Sequence, residues 1–263
     1  MDDRLSISIL LLARDETRDL EALIPALGFA REVLVVWDPR GDPATRAAAA
    51  RLGARVEERS FDGFGPQRAW ALARCTEPWV LWLDADERLD ARAVAAVRDA
   101  VRADGGITHH RLRRATWFLG RRIRFCGWQG ETVVRLFRRE RARFDDAEVH
   151  EAVAVEGPGP GLLAGVIEHH SYRTVRDCVE KCERYARAGA ERAWRRGRRA
   201  GAIDVLLRPP LRFTRQYLLQ LGFLDGAHGL VLCGFAAAQV LFKYADLWQR
   251  TRLERAPGDP ARS

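Results

Sequence analysis

The sequence predicts an α/β fold, in which a doubly wound, mostly parallel sheet is followed by a C-terminal tail of basic amphipathic helices. Short runs rich in Ile, Val and Leu alternate with stretches of helical spacing through the first half, and the connections between them are short. Parallel strands need crossover helices, so this alternation indicates helices on both faces of the sheet. Beyond residue 175, helical spacing combined with many arginines predicts the basic helices.

Local signals justify the elements in turn. Pro43 stands early in one helical stretch and Gly53 closes it, while Asp90 is placed to cap another. Alternating apolar and polar residues at 127–144 predict an antiparallel element laid against the sheet. The predicted strands lie at 6–12, 32–37, 54–59 (the weakest) and 79–83, and the predicted helices at 20–27, 43–53, 66–75 and 90–103.

The composition, with 47% apolar and 9% aromatic residues in a chain of 263, is that of a folded protein large enough to be an enzyme. We expect a sheet domain at residues 1–172 and a basic helical region at residues 173–263. An uncharged run of 14 residues lies at 229–242, whereas a membrane-spanning helix needs about 20 apolar residues. This run therefore either lies in the lipid headgroup region or forms a core helix.

The formal net charge of +8 is concentrated at one end of the chain. Residues 1–172 carry 26 Arg and Lys against 27 Asp and Glu, whereas residues 173–263 carry 18 against 9. A basic tail on a neutral body favours an anionic membrane surface over a nucleic-acid groove. The acidic N-terminus lacks the features of a secretory signal, and we expect a cytoplasmic protein peripheral to the inner membrane.

The cysteines are five in number and scattered, which favours reduced thiols over a disulfide framework. Cys178 and Cys182 have helical spacing, but no second Cys or His pair at zinc-site spacing accompanies them. We interpret both as residues that pack a helix.

Acidic residues follow three of the predicted strands at the point where each ends. The carboxyl ends of parallel strands meet at one edge of a sheet, so these acids should share a rim. Asp84 and Asp86 stand two apart, and in extended backbone such side chains point to the same side, where they can hold one hard cation. The alternative is a solvated turn with a helix cap. The acids are Asp15, Glu16, Asp38, Asp84, Asp86 and Glu87.

Several stretches, in their order along the chain, resemble the inverting family 2 glycosyltransferases of the GT-A fold. They are SISILLLARDE at 6–16, VVWDPRGDPATRAAAARLGARV at 35–56, FDGFGPQRAWAL at 61–72 and WVLWLDADE at 79–87. Further stretches resemble a narrower group, the bacterial lipopolysaccharide inner-core glycosyltransferases that add glucose to heptose. They are GWQGETVVRLFRR at 127–139, EVHEAV at 148–153, HHSYRT at 169–174, GFLDG at 222–226 and FKYADLW at 242–248.

The resemblance implies a donor and a metal. The donor would be a uridine diphosphate (UDP) hexose, with glucose as the expected sugar, and the acceptor a lipid-linked saccharide such as the inner-core heptose. Asp84 and Asp86 would hold Mn²⁺ or Mg²⁺, and Asp38 would recognise the uracil. Gln67 and Arg68 open a helix, where cations and helix N-termini favour phosphate. The donor-binding residues implied are Ala13, Asp15, Glu16, Asp38, Gln67, Arg68 and Asp84.

Inverting transfer also needs a general base for the acceptor hydroxyl. The resemblance implies Glu151, with His150 beside it to orient it or to bind substrate. Glu131 is the second candidate for the base, or a ligand for a sugar hydroxyl. His169 and His170 are either metal or phosphate contacts or histidines with a structural role.

Other functions compete with this one. A Rossmann dehydrogenase would need a G-x-G-x-x-G motif after the first strand, and ARDETRD has no glycine. A nucleic-acid-binding module is suggested by the arginine-rich helix, but no RNP-type aromatic pattern or helix-turn-helix accompanies it. A third alternative keeps the fold and replaces the acceptor by a polyprenyl phosphate or another glycolipid.

Overall fold

The computed structural model describes residues 4–103, 105–144 and 153–255. Within these limits the chain forms two compact units. The first comprises the residues up to Ala115 together with Gly130–His169, and the second comprises Thr116–Gln129 and the residues from His170 onward. The second unit thus includes a segment that precedes the division predicted at residue 172.

The sheet of the first unit begins with four parallel strands in the spatial order β3-β2-β1-β4. Their apolar side chains alternate between two cores, since Ile9 and Leu11 lie in one hydrophobic cluster and Leu10 lies in the other. The strands are β1 Leu5–Ala13, β2 Ala30–Trp37, β3 Arg55–Glu58 and β4 Trp79–Asp84. All four were predicted, and each end lies within two residues of the predicted one.

Helices cover both faces of this sheet. α1 and α4 bury Leu20 and Val97 in the first core, and α3 buries Leu72 in the second. Two carboxylates cap helices at their N-termini: Asp42 accepts a hydrogen bond from the Ala44 backbone N–H at 2.9 Å, and Asp90 Oδ1 accepts one from Ala93 at 2.7 Å. The predicted α/β fold is therefore confirmed. The helices are α1 Thr17–Leu23, α2 Pro43–Arg51, α3 Phe64–Leu72 and α4 Ala91–Ala103.

The predicted antiparallel element is part of the sheet and does not lie against it. β8 pairs with β4 in antiparallel register, with Leu136 opposite Leu81, and the order continues β8-β6-β11-β5. An unpaired β4 would expose a row of backbone N–H and C=O groups, and β8 satisfies them. The remaining strands are β5 Glu87–Leu89, β6 His109–Phe118, β7 Arg121–Arg122, β8 Thr132–Arg138, β9 Ala142–Phe144, β10 Val153–Val155 and β11 Gly161–Tyr172.

One irregularity in this pairing positions a charged side chain. His110 is opposite Leu136 and Arg111 is opposite Val134, so Arg135 is an extra residue on β8. Such a β-bulge re-aims the residue that it contains. Arg135 is 2% exposed and has two apolar residues on each side of it in the strand.

The second unit is helical, with α5 Val175–Arg195, α6 Ala202–Thr214 and α7 Gly226–Arg255. α5 and α6 both pack against α7. The prediction of α5 is confirmed, and Cys178 and Cys182 lie buried on its apolar face. Among the described residues, one helix, Gly222–Glu254, has the length and apolar composition to cross a membrane. The apolar run at 229–242 lies inside α7, where Leu232 and Cys233 are buried and Leu230 and Phe242 are exposed.

The GFLDG motif anchors the segment at 116–129 within the second unit. The buried Asp225 carboxylate accepts hydrogen bonds from the backbone N–H groups of Arg124 at 3.0 Å and Phe125 at 2.9 Å. Gln216 Nε2 donates to the Cys126 carbonyl at 3.0 Å. These bonds satisfy backbone groups of a loop that has no sheet partner of its own.

Candidate active site

Hydrogen bonds, most of them to acidic side chains, connect the loops that follow β1 and β2. The Ala13 carbonyl accepts from the Asp38 backbone N–H at 2.9 Å, and Asp15 Oδ1 accepts from the Asp42 backbone N–H at 2.7 Å. Glu16 accepts from the backbone N–H groups of Arg14 at 2.6 Å and Asp15 at 2.9 Å. These acids fix the loops that follow the strands.

Asp38 is buried at the end of β2, and its carboxylate is held by Arg40. Arg40 Nε lies 2.9 Å from Oδ1, and a terminal Arg40 nitrogen lies 2.7 Å from Oδ2. The hydrogen bonds from Arg40 lower the pKa of Asp38 to about 2. The side chain predicted to recognise uracil is thus ionised and already carries a bidentate guanidinium.

Asp84 ends β4 and belongs to a buried network of charges. A terminal nitrogen of Arg135 donates to Asp84 Oδ2 at 2.8 Å and to Glu87 Oε1 at 2.7 Å, and Glu87 is fully buried. Burial alone would raise the pKa of Asp84, but the guanidinium groups of Arg135 and Arg68 hold it below its usual value. Burial would likewise lower the pKa of Arg135, and the two carboxylates raise it overall.

Gln67 and Arg68 were predicted to open a helix, but α3 begins at Phe64, and the two residues are buried in its middle. The Arg68 guanidinium lies 4.1 Å from the centroid of the Trp82 ring and 3.5 Å from Asp84 Oδ1. Arg135 lies at 4.1 Å from the same ring. Trp82 therefore separates two cations that both reach Asp84, and cation–π attraction helps to hold them together.

Asp86 occupies a turn between β4 and β5, not the extended backbone on which the argument for the Asp84–Asp86 pair was based. Its Oδ2 lies 3.4 Å from Nε2 of His169, a residue of β11 in register with Glu87. His170, the neighbouring residue, stacks on Trp117 with ring centroids 5.3 Å apart. The structure thus brings His169 to Asp86.

A cavity of about 370 Å³ opens beside this network. Glu131 lines it and pairs with Arg114 at 3.4 Å, and Arg114 also lies 3.3 Å from Glu87 Oε1. Arg111, which is exposed, lines the cavity without a carboxylate partner in the described part of the chain. The lining residues are Arg68, Trp82, Asp84, Arg111, Arg114, Glu131, Thr132, Val133, Val134, Arg135 and Val153.

Three residues that line the cavity carry a buried N–H group with no hydrogen-bond partner among the described residues. These groups are Nε1 of Trp82 and Nε of Arg114 and Arg135. An unsatisfied buried donor costs about 1–3 kcal/mol. A ligand rich in oxygen acceptors, such as a phosphate group, would satisfy them.

The two residues predicted as the base and its neighbour, Glu151 and His150, lie outside the described residues. The described part of the chain begins again at Val153, which lines the cavity. Glu151 is two residues before Val153 in the sequence, and its role stays a prediction.

The predicted metal can be compared with the side chains at the rim. Among the described residues no group of three or more His, Cys, Asp or Glu is placed to hold an ion. Asp86 and His169 supply one carboxylate and one imidazole, whereas Asp84 faces Arg135 and Arg68. Mg²⁺ is commonly held by one or two carboxylates with substrate phosphates, and imidazole suits the transition metals. Asp86 and His169 could therefore hold a divalent cation only together with ligands from outside the described residues.

Three of the four arginines that line the cavity were not predicted, Arg68 being the exception. Arg111, Arg114 and Arg135 lie on β6 and β8, and neither β6 nor the bulge was predicted. One signal was available, since Arg135 interrupts the apolar run of TVVRLF. A buried charge in such a run requires a partner, and here the partners are Asp84 and Glu87.

No model of a protein family matches the chain. The lipopolysaccharide core biosynthesis glycosyltransferase LpsC of Rhizobium meliloti (strain 1021) is 24% identical over 267 residues, covering 98% of this chain and 97% of that protein. An uncharacterised glycosyltransferase of Rickettsia prowazekii (strain Madrid E) is 22% identical, covering 92% and 87%. The mannosyltransferase PcManGT from Pyrobaculum calidifontis, solved in complex with GDP-Man and Mn²⁺, is 17% identical with a TM-score of 0.46, over 95% of this chain and 83% of that one. The chain is thus similar, along nearly its whole length, to proteins named as glycosyltransferases.

Proposed function

We propose that the protein is an inverting glycosyltransferase of lipopolysaccharide core biosynthesis, which transfers a hexose from a UDP-sugar to a lipid-linked saccharide. Similarity to LpsC over 98% of the chain supports the reaction class and the pathway. Glucose as the hexose and the inner-core heptose as the acceptor come from the sequence resemblance alone. The transfer would take place at the cytoplasmic side of the inner membrane, where the basic tail would contact anionic lipid.

The cavity beside Asp84 carries this proposal. Arginines predominate among its charged residues, and three of its residues have buried N–H groups without partners. A nucleotide diphosphate has the charge and the acceptor oxygens to satisfy them. The cavity also lies next to the carboxyl end of β4, where ligands of parallel sheets bind.

Each side chain has a role in the proposed transfer. Arg68 and Arg114 would bind the diphosphate and stabilise the charge that grows on it as the sugar leaves. Arg135 would hold Asp84 and Glu87 in place, and Asp86 and His169 would hold the cation. A bound divalent cation supplies further neutralisation of phosphate charge.

The base must take a proton from the acceptor hydroxyl as that oxygen attacks the anomeric carbon from the side opposite the leaving diphosphate. Glu151 is the proposed base, and His150 would orient it. Glu131 is the weaker candidate because Arg114 pairs with it at 3.4 Å and so does not leave it free for the acceptor.

Calorimetric titration with UDP, in the presence of Mn²⁺ and then of a chelator, tests the donor site. Arg114→Gln should weaken UDP binding by about tenfold or more, because a hydrogen bond to a charged group is worth about 1.5–3 kcal/mol. Arg113→Gln is the matched control, since Arg113 is an exposed neighbour on β6 outside the cavity lining. Equal affinities in the two variants would contradict the placement of the diphosphate.

Transfer itself needs a second measurement, in which UDP-hexoses are screened with core oligosaccharide and, separately, with polyprenyl phosphate as acceptors. Glu151→Gln should keep UDP affinity and lose transfer, and Asp86→Asn should lose the dependence of UDP binding on Mn²⁺. Unchanged turnover by Glu151→Gln would remove Glu151 from the mechanism. Product formed only with polyprenyl phosphate would show that this lipid, and not the core saccharide, is the acceptor.

A further inference from the structure

α6 and the π-helical turn that follows it, Arg215–Leu219, expose six large apolar side chains. No residue of α6 is buried, although the helix is rich in leucine. Leu206 is 71% exposed and Leu219 is 77% exposed, and the residues at spacings of three and four lie on one side of the helix. We call this surface the α6 stripe, and it consists of Ile203, Leu206, Leu207, Leu211, Leu218 and Leu219.

Packing inside the second unit does not account for the stripe. α5 turns its apolar face, including Cys182 and Ala190, into the unit, where these residues are buried. α6 also packs against α7, but its leucines remain on the outside. Single exposed leucines are common in soluble proteins, whereas a contiguous exposed stripe marks an interaction surface.

The charges around the stripe indicate its partner. Between residues 196 and 219 the sequence has six arginines and one acid, Asp204. Arg208 is held by Asp204 at 2.6 Å and lies over the Tyr244 ring. Arg212 and Arg215 have no carboxylate partner in the described part of the chain. A second copy of the chain would bring like charges together here, whereas lipid phosphates complement them.

We propose that the α6 stripe docks the protein on a bilayer of anionic phospholipid. The leucines enter the boundary between headgroups and acyl chains, and Arg212 and Arg215 contact lipid phosphates, as in other amphipathic helices that lie in the plane of the interface. The inference rests on the proposed function only for its purpose, which is to bring the site to a lipid-linked acceptor. Vesicle binding needs neither donor nor transfer, so it tests the surface independently.

Sedimentation of the full-length protein with vesicles is the test. One set of vesicles contains phosphatidylcholine alone, and the other equal parts of phosphatidylcholine and phosphatidylglycerol. The wild type should bind the second set more tightly, and added salt should weaken the binding because it screens surface charge. Leu206→Gln with Leu211→Gln should reduce binding by about tenfold or more. Arg212→Gln with Arg215→Gln should reduce it by about fivefold per arginine.

The matched control replaces two exposed valines of α5, Val175→Gln with Val179→Gln, and should bind vesicles as the wild type does. UDP affinity should be unchanged in every variant, which separates a failure of docking from a failure of the donor site. If the variant with both leucines replaced also loses UDP affinity, its fold is damaged, and the variant with both arginines replaced then tests the docking surface. Equal binding by the arginine pair, the control and the wild type would overturn the proposal. So would a dimer that the leucine substitutions dissociate, or attachment to native membranes that resists alkaline carbonate because α7 crosses them.

Discussion

The two units depart from the usual distribution of polar and apolar groups in opposite directions. In the first unit, Arg135 and Glu87 are buried at the sheet, although charged residues are rarely inside a protein. In the second, the leucines of the α6 stripe lie outside, although leucine is among the residues most often buried. Each departure costs free energy of folding unless other groups compensate for it.

The difference lies in where the compensation comes from. Arg135 finds its counter-charges within the chain, at 2.8 Å from Asp84 and 2.7 Å from Glu87. The α6 stripe finds no cover within the described part of its unit. A buried charge network that is complete except for a few N–H groups indicates a preorganised site, whereas an uncovered apolar stripe indicates a partner outside the chain.

The largest expected effect comes from breaking the buried network. Arg135→Met should lower the free energy of unfolding by about 3 kcal/mol, because it removes the nearer of the two guanidinium groups that face the buried Glu87 carboxylate and leaves only Arg114, at 3.3 Å. Urea unfolding followed by circular dichroism measures the change. The second substitution Glu87→Gln, added to Arg135→Met, removes this poorly compensated charge and should recover part of the loss.

Arg138→Met is the matched control on the same strand. Arg138 is only partly buried, and its guanidinium lies over the Trp79 ring at 4.3 Å. Its loss should cost about 1 kcal/mol or less. A loss of that small size for Arg135→Met would show that the network is not needed for folding, and the contrast between the two units would disappear.

A smaller effect is expected at Asp38, the other carboxylate of the first unit that an arginine holds. The pKa of Asp38 lies at about 2 in the folded protein, below the usual 3.8, because Arg40 donates hydrogen bonds to it. The resulting stability is fully present above about pH 4 and is lost as the pH falls toward 2. Wild type should therefore be more stable than Asp38→Asn at neutral pH, and the gap should close on acidification.

Urea unfolding at a series of pH values measures this gap. In an Arg40→Gln background the same Asp38→Asn substitution should give a gap that varies little with pH, because the hydrogen bonds that lower the Asp38 pKa are gone. A gap that stays constant down to pH 2 in the wild-type background would mean that Arg40 does not hold the carboxylate in solution.

Much of the first unit could be predicted because its signals are local. β1, β2 and β4 contain runs of apolar residues, and Asp90 caps α4 as the sequence indicates. The bulge at Arg135 could not be predicted, since it depends on which strand lies beside β8. The turn that contains Asp86 was only the alternative interpretation, because the sequence gives spacing but not the residue at which a strand ends.

α6 was missed for a different reason. Pro209 and Pro210 lie inside it, and proline in a helix interior removes a backbone donor and usually ends the helix. The carbonyls that lose their donors belong to Val205 and Leu206. Leu206 is exposed, so solvent can satisfy its carbonyl. Tertiary position thus permits a helix that local propensity disfavours.

The smallest expected effect is on the stability of the α6 stripe itself. Leu206→Gln with Leu211→Gln should change the free energy of unfolding by no more than about 0.5 kcal/mol, because neither side chain is covered in the folded protein. Leu232→Ala in α7 is the apolar comparison, since Leu232 is buried and its truncation should cost about 2–5 kcal/mol. Urea unfolding without lipid measures both. A large loss for the stripe variant would mean that the leucines are covered in solution by the protein itself or by a second copy, and the membrane would no longer be needed to explain them.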